Sequence, residues 1–213
     1  MKTNILSVQV LANADRSLLK SLDVPENHIS LGFISTDCDD VSYAALDEAT
    51  KKAEVSVAYA RSMYAGSSNA STALAGEFIG VLSGETPEEV ISGIDAFISY
   101  ANEQAHFISA NDDDSIVYFA HCISRTGTYL SKAADVPEGT AMAYLIAPPL
   151  EAMMGVDAAL KAAAVEMKVF YGPPTETNFA GALLVGDQAA CKAACEAFEA
   201  KVCSIADNPI RLS

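Results

Sequence analysis

The chain has 213 residues, 51% of them hydrophobic and only 19% charged, and 13 basic against 28 acidic residues leave a formal charge of −15. So acidic a surface repels nucleic acid and anionic lipid. No apolar run reaches the roughly 18 residues of a spanning helix, so no membrane is expected either. The patterning then predicts strand, helix, strand, helix, strand, strand and helix over 5–12, 15–22, 30–35, 41–53, 55–60, 76–82 and 87–101. Asp40 or Ser42 stands where an N-cap belongs for the second helix. Thr86-Pro87-Glu88-Glu89 opens the third with a cap, a proline at the first helical position and acids in the first turn. After the polar run Asn111-Asp112-Asp113-Asp114 the same order returns over 116–123, 126–134, 141–147, 152–163, 165–170, 181–186 and 187–205.

The order returns because the sequence does. Asp23-Val24-Pro25-Glu26 recurs as Asp135-Val136-Pro137-Glu138, 112 positions on, with Leu18 and Lys20 matched by Leu130 and Lys132. Asp47, Ala49, Lys51, Ala53 and Val55 recur as Asp157, Ala159, Lys161, Ala163 and Val165 at a spacing of 110. Ala75-Gly76 before an apolar strand is matched by Ala180-Gly181. Anchors in one order mean a tandem duplication, with domains 1–110 and 111–213. Each domain is of the α+β class, a sheet with helices packed on it. Two copies of one domain suit a symmetric assembly, and the low charge content suits a protein that covers surface with copies of itself. Because Ile5–Leu11 matches Val117–Ile123, the N-terminus is a structural strand and not a signal peptide. Five cysteines, an odd number without paired spacing, fit a reducing cytoplasm.

Two connections are long for so economical a chain: Arg61 to Ala75, rich in small and polar residues, and Tyr171 to Ala180. Connections beyond about 12 residues are functional or mobile, and these two hold matched places in the repeat. Asp39 and Asp40, just before a helix, read by position as caps before ligands, while Asp37 suits a turn. Glu77 is expected within the strand that runs to Leu82, on one face with Ile79 and Val81, and the repeat aligns it with Ala182, so its carboxylate occurs in one copy only. Cys191 and Cys195, one turn apart on an Ala-rich helix, read as small core residues before metal ligands. The histidines His28, His106 and His121 are scattered. The chain has no dinucleotide fingerprint, phosphate loop or nucleophile elbow, and no cofactor or catalytic residue is expected.

The run Leu31-Gly32-Phe33-Ile34-Ser35-Thr36-Asp37-Cys38-Asp39-Asp40-Val41-Ser42-Tyr43 resembles the EutL-type shell proteins of ethanolamine-utilisation bacterial microcompartments. So do Arg61-Ser62-Met63-Tyr64-Ala65-Gly66, Ser124-Arg125-Thr126-Gly127-Thr128-Tyr129-Leu130-Ser131, Ala147-Pro148-Pro149-Leu150-Glu151-Ala152 and Gln188 to Cys195. The resemblance implies two circularly permuted shell domains per chain and a flat homotrimer of hexameric outline that tiles with other shell proteins. It implies a central pore gated by two loops, here Tyr64–Ala75 with Tyr64, Ala65, Gly66, Ser67, Ser68 and Asn69, and Tyr171–Phe179 with Thr175, Glu176, Thr177, Asn178 and Phe179. It implies a small pore in each subunit where Asp39, Glu77 and Phe107 bind ethanolamine, carboxylates for the ammonium and an aromatic wall for the stem. Cobalamin enters as a further partner on the same ground, with no residue pattern that locates it. A trimeric amine sensor that does not tile is the alternative.

Overall fold

The computed structural model describes residues 1–63 and 76–210. The chain divides into two compact units: an N-terminal unit of Lys2–His106 with Gly127–Leu130, and a C-terminal unit of Met1, Phe107–Thr126 and the chain from Ser131 on.

The N-terminal unit runs β1 (Ile5–Leu11), α1 (Arg16–Ser21), β2 (Ser30–Thr36), α2 (Asp39–Lys52), β3 (Val55–Ser62), β4 (Phe78–Gly84) and α3 (Pro87–Glu103). Its four strands form an antiparallel sheet in the order β1-β2-β4-β3. Phe78, Gly80 and Leu82 alternate onto one face of β4. Leu46 of α2 comes up to Gly80, and Leu82 packs near Gly93 of α3, so both long helices lie on that face. Phe78, Phe97, Leu31, Ile34, Leu46 and Leu82 are fully buried.

The C-terminal unit holds β5 (Ile108–Ser109), β6 (Val117–Ile123), β7 (Ala141–Ala147), α5 (Pro149–Ala162), β8 (Glu166–Tyr171), β9 (Ala180–Gly186) and α6 (Gln188–Asp207). The helix α4 (Thr128–Ala134) starts in the N-terminal unit and ends here. The sheet order is β5-β6-β7-β9-β8, again antiparallel. Asn111–Asp114 makes the β5–β6 turn, with Asp114 at φ +56°. Tyr118, Leu145, Cys191, Cys195 and Phe198 form the core between this sheet and α5 and α6, which places both cysteines among packed side chains.

The duplication is visible strand for strand. A bulge between Val57 and Tyr59 in β3 recurs between Met167 and Val169 in β8, 110 positions on. Tyr59 pairs with Val81 and Val169 with Leu183, so β4 matches β9 at a spacing of 102. Gly76 at φ +61° and Asn178 at φ +65° confirm that register, both holding the left-handed conformation just before the strand. The connection before β4 is thus about eight residues the longer. The counterpart of Glu77 is Phe179, not the Ala182 expected from the Ala-Gly dipeptides, which recur by composition and not by position.

Candidate functional site

Three carboxylates meet at the end of β2 and the start of β4. Asp37 leaves β2 and accepts hydrogen bonds from the Asn4 backbone N–H at 2.7 Å and the Asn4 side-chain amide at 2.6 Å. Asp39 opens α2. The N-cap is Cys38, with no side-chain cap bond, where Asp40 or Ser42 was expected. Ser42 instead donates to the Cys38 carbonyl at 2.6 Å and meets the Thr36 hydroxyl at 2.7 Å. Asp39 and Asp40 therefore sit in the first turn, where acids favour the helix dipole. One Asp39 oxygen accepts from the Asp40 N–H at 2.9 Å. Ser62 hydrogen-bonds the same carboxylate and also lies 2.8 Å from the Tyr43 hydroxyl, which ties β3 to the site.

Glu77 is held by its backbone. Its N–H donates to the Thr36 carbonyl at 2.9 Å, and its carbonyl accepts from Met63 at 2.6 Å. Burial, then the charges of Asp39 and Asp37, push the Glu77 carboxyl up to about 7 from 4.5. Burial likewise raises Asp39, although hydrogen bonds from Ser62 and the Asp40 N–H hold it back. The neighbouring Cys38 thiol is pushed up to about 12 by burial and by Asp40 and Asp39, so it is no nucleophile. Such a cluster is short of positive charge.

Phe107, the third expected residue, belongs to the C-terminal unit. Its ring stands 5.5 Å from Phe119 and 5.8 Å from Phe179, in an aromatic layer that continues through Phe119 to His121 and Tyr144 and from Tyr144 to Tyr171. His106 is exposed, and His28 meets the Ser83 hydroxyl at 2.9 Å. Among the gating-loop residues, Tyr64, Ala65, Gly66, Ser67, Ser68 and Asn69 lie outside the described residues. Thr175, Glu176, Thr177, Asn178 and Phe179 form a compact turn. The Thr175 N–H and hydroxyl donate to the Phe179 carbonyl at 3.2 Å and 3.0 Å, and the Asn178 N–H donates to the Thr175 carbonyl at 3.1 Å.

Sequence reasoning passed over Asp47. Its fully buried carboxylate accepts from the Gly127 N–H at 2.7 Å and the Leu130 N–H at 2.8 Å, fastening the start of α4 to α2. The repeat named Asp47 and Asp157 as a matched pair but gave no sign that they differ in role. Among the described residues no group of three His, Cys, Asp or Glu side chains could hold a metal ion. No described helix is long and apolar enough to cross a membrane.

Residues 30–112 match the BMC domain family. With its duplicated α+β units, the chain is a tandem-domain shell protein of a bacterial microcompartment. It is 60% identical to the bacterial microcompartment shell protein EutL of Clostridium perfringens (strain 13 / Type A), over 99% of this chain and 97% of that one. It is 47% identical to EutL of Escherichia coli (strain K12), over 99% and 96%. The crystal structure of the ethanolamine utilization protein EutL from Leptotrichia buccalis C-1013-b superposes with a TM-score of 0.97 at 60% identity, covering 100% of this chain and 98% of that one. The chain belongs to the EutL family of microcompartment shell proteins, whose role is structural and not enzymatic.

Proposed function

We propose that this chain serves an ethanolamine-utilising microcompartment of the cytoplasm, as a homotrimeric tile that joins other shell proteins edge to edge and passes small metabolites through a gated central pore. One observation carries the assembly: the two units repeat one topology down to a shared bulge, so three chains supply six similar lobes. The domains are the permuted halves 1–110 and 111–213. The BMC domain match begins at residue 30, after β1 and α1, which supports the permuted order. Tyr64–Ala75 and Tyr171–Phe179 are the gating loops, and alternative loop arrangements a few kcal/mol apart suffice to open and close a pore.

Within each subunit, Asp39, Glu77 and Phe107 bind a small ammonium-bearing alcohol, ethanolamine. The upward push on Glu77 supports this reading, because a cation among Asp37, Asp39 and Glu77 relieves repulsion that water alone does not. Few heavy atoms limit the affinity to about the micromolar to millimolar range. The site occurs once per chain, since Phe179 occupies the place of Glu77 in the second unit. Calorimetry tests it: ethanolamine binds the parent protein, and Glu77→Ala abolishes the heat. Equal binding by both proteins refutes the carboxylate assignment. Cobalamin remains a candidate partner of the assembly, to be tested by the same titration.

A further inference from the structure

We propose that Tyr43 and Ser62 are positioning residues for the cation site: Tyr43 donates a hydrogen bond to Ser62, and Ser62 in turn holds and aims the Asp39 carboxylate. The proposal rests on the ethanolamine-binding reading above and adds to it two side chains that act through Asp39.

Counting donors gives this chain of bonds its direction. Asp39 is buried, and its carboxylate accepts from the Asp40 N–H at 2.9 Å and bonds the Ser62 hydroxyl. An ionised carboxylate only accepts, and a serine hydroxyl has one hydrogen, so Ser62 commits that hydrogen to Asp39. The Ser62 oxygen also lies 2.8 Å from the Tyr43 hydroxyl, and there Tyr43 is the donor. The order runs from Tyr43 to Ser62 to Asp39. Each bond polarises the next, so the tyrosine hydroxyl strengthens the grip of Ser62 on the carboxylate.

The tyrosine is itself held from two sides. Tyr43 stands one turn beyond Asp39 on α2, and residues four apart share a helix face. Its ring meets Phe78 edge-on at 5.1 Å and stacks on Tyr129 at 6.0 Å. Phe78 opens β4 directly after Glu77. One ring thus fixes the hydroxyl that serves Asp39 and packs against the neighbour of the second carboxylate.

The duplication shows that a sheet of this topology forms without the arrangement. At the spacing of 110 shared by the helices and the bulge, Asp39, Tyr43 and Ser62 are replaced by Pro149, Met153 and Gly172. At the spacing of 102, Glu77 is replaced by Phe179. The C-terminal unit still orders β6-β7-β9-β8 as the N-terminal unit orders β1-β2-β4-β3. Tyr43 and Ser62 therefore go with the two carboxylates and not with the sheet.

Calorimetry with ethanolamine tests the relay, with circular dichroism to establish that each variant is folded. Tyr43→Phe keeps the ring and removes only its hydroxyl. It is expected to weaken binding about fivefold, and Ser62→Ala about tenfold or more, as befits hydrogen bonds to a neutral and to a charged partner. In the Ser62→Ala background Tyr43→Phe is expected to have no further effect, because Tyr43 acts only through Ser62. Ser62→Thr restores the hydroxyl and is expected to bind within about twofold of the parent. Should Ser62→Ala lose its spectrum, Ser62→Gly, with the residue of the equivalent place, replaces it. A parent that binds ethanolamine while Tyr43→Phe and Ser62→Ala bind it equally well overturns the relay and leaves the binding reading standing. So does an additive loss in the double variant, or a Ser62→Thr variant that binds as poorly as Ser62→Ala. A parent that binds no ethanolamine overturns the binding reading, and the relay with it.

Discussion

Glu77→Gln isolates the electrostatics of the acidic cluster while keeping the side chain's shape. Burial, Asp39 and Asp37 hold the Glu77 carboxyl at about 7 in the native chain, against 4.5 for a free side chain. The native state thus keeps a proton between about pH 4.5 and 7 that the unfolded chain has already released. Stability falls as pH rises through that window, because the native state binds more protons than the unfolded one. At about 1.4 kcal/mol per pH unit the gap corresponds to a few kcal/mol, which solvent at this half-exposed group reduces to about 1–2 kcal/mol. Glutamine carries no charge to repel Asp39 and Asp37. Urea unfolding at fixed protein concentration should therefore find the variant about 1–2 kcal/mol more stable than the parent at pH 8, with the two equal near pH 4.5. The reasoning fails if the difference is the same at both pH values, or if the parent is the more stable at pH 8.

Ethanolamine affinity should weaken about tenfold from pH 8 to pH 6 as Glu77 takes up its proton, and calorimetry giving equal constants would remove Glu77 from the site. Asp47→Ala leaves the buried N–H groups of Gly127 and Leu130 without their acceptor and should cost about 3–5 kcal/mol in urea unfolding, where a loss below about 1 kcal/mol speaks against the fastening. Gly181→Ala sets a Cβ 1.9 Å from the Leu145 carbonyl near the Ala147–Ala180 end of the β7–β9 ladder, and should lower stability by about 3 kcal/mol. An unchanged melting temperature would contradict that register.

Much of the fold was legible because its signals are local. Thr86 accepts from the Glu89 N–H as its capping position implied, and α3 starts at Pro87 as expected. Where local signals fail, the reading failed. The helix α5 begins at Pro149 and not 152, because its cap is Pro148, which has no side chain to bond an orphan N–H. The strand β5 has two residues, too few for any period to register. The partner of Glu77 was misread because an eight-residue difference in loop length moves the register, and only strand pairing and the positive φ at Gly76 and Asn178 reveal it. Asp39 and Glu77 were singled out through resemblance, whereas Asp37 and Asp47 make long-range contacts with Asn4 and Gly127 that no spacing announces.

The central claim is that this chain tiles a shell, and electron microscopy of the purified protein tests it most directly. Extended two-dimensional sheets built from threefold particles of hexameric outline are the predicted result. Isolated particles at every concentration and salt condition would contradict it, and would make the protein an amine-binding trimer that does not tile.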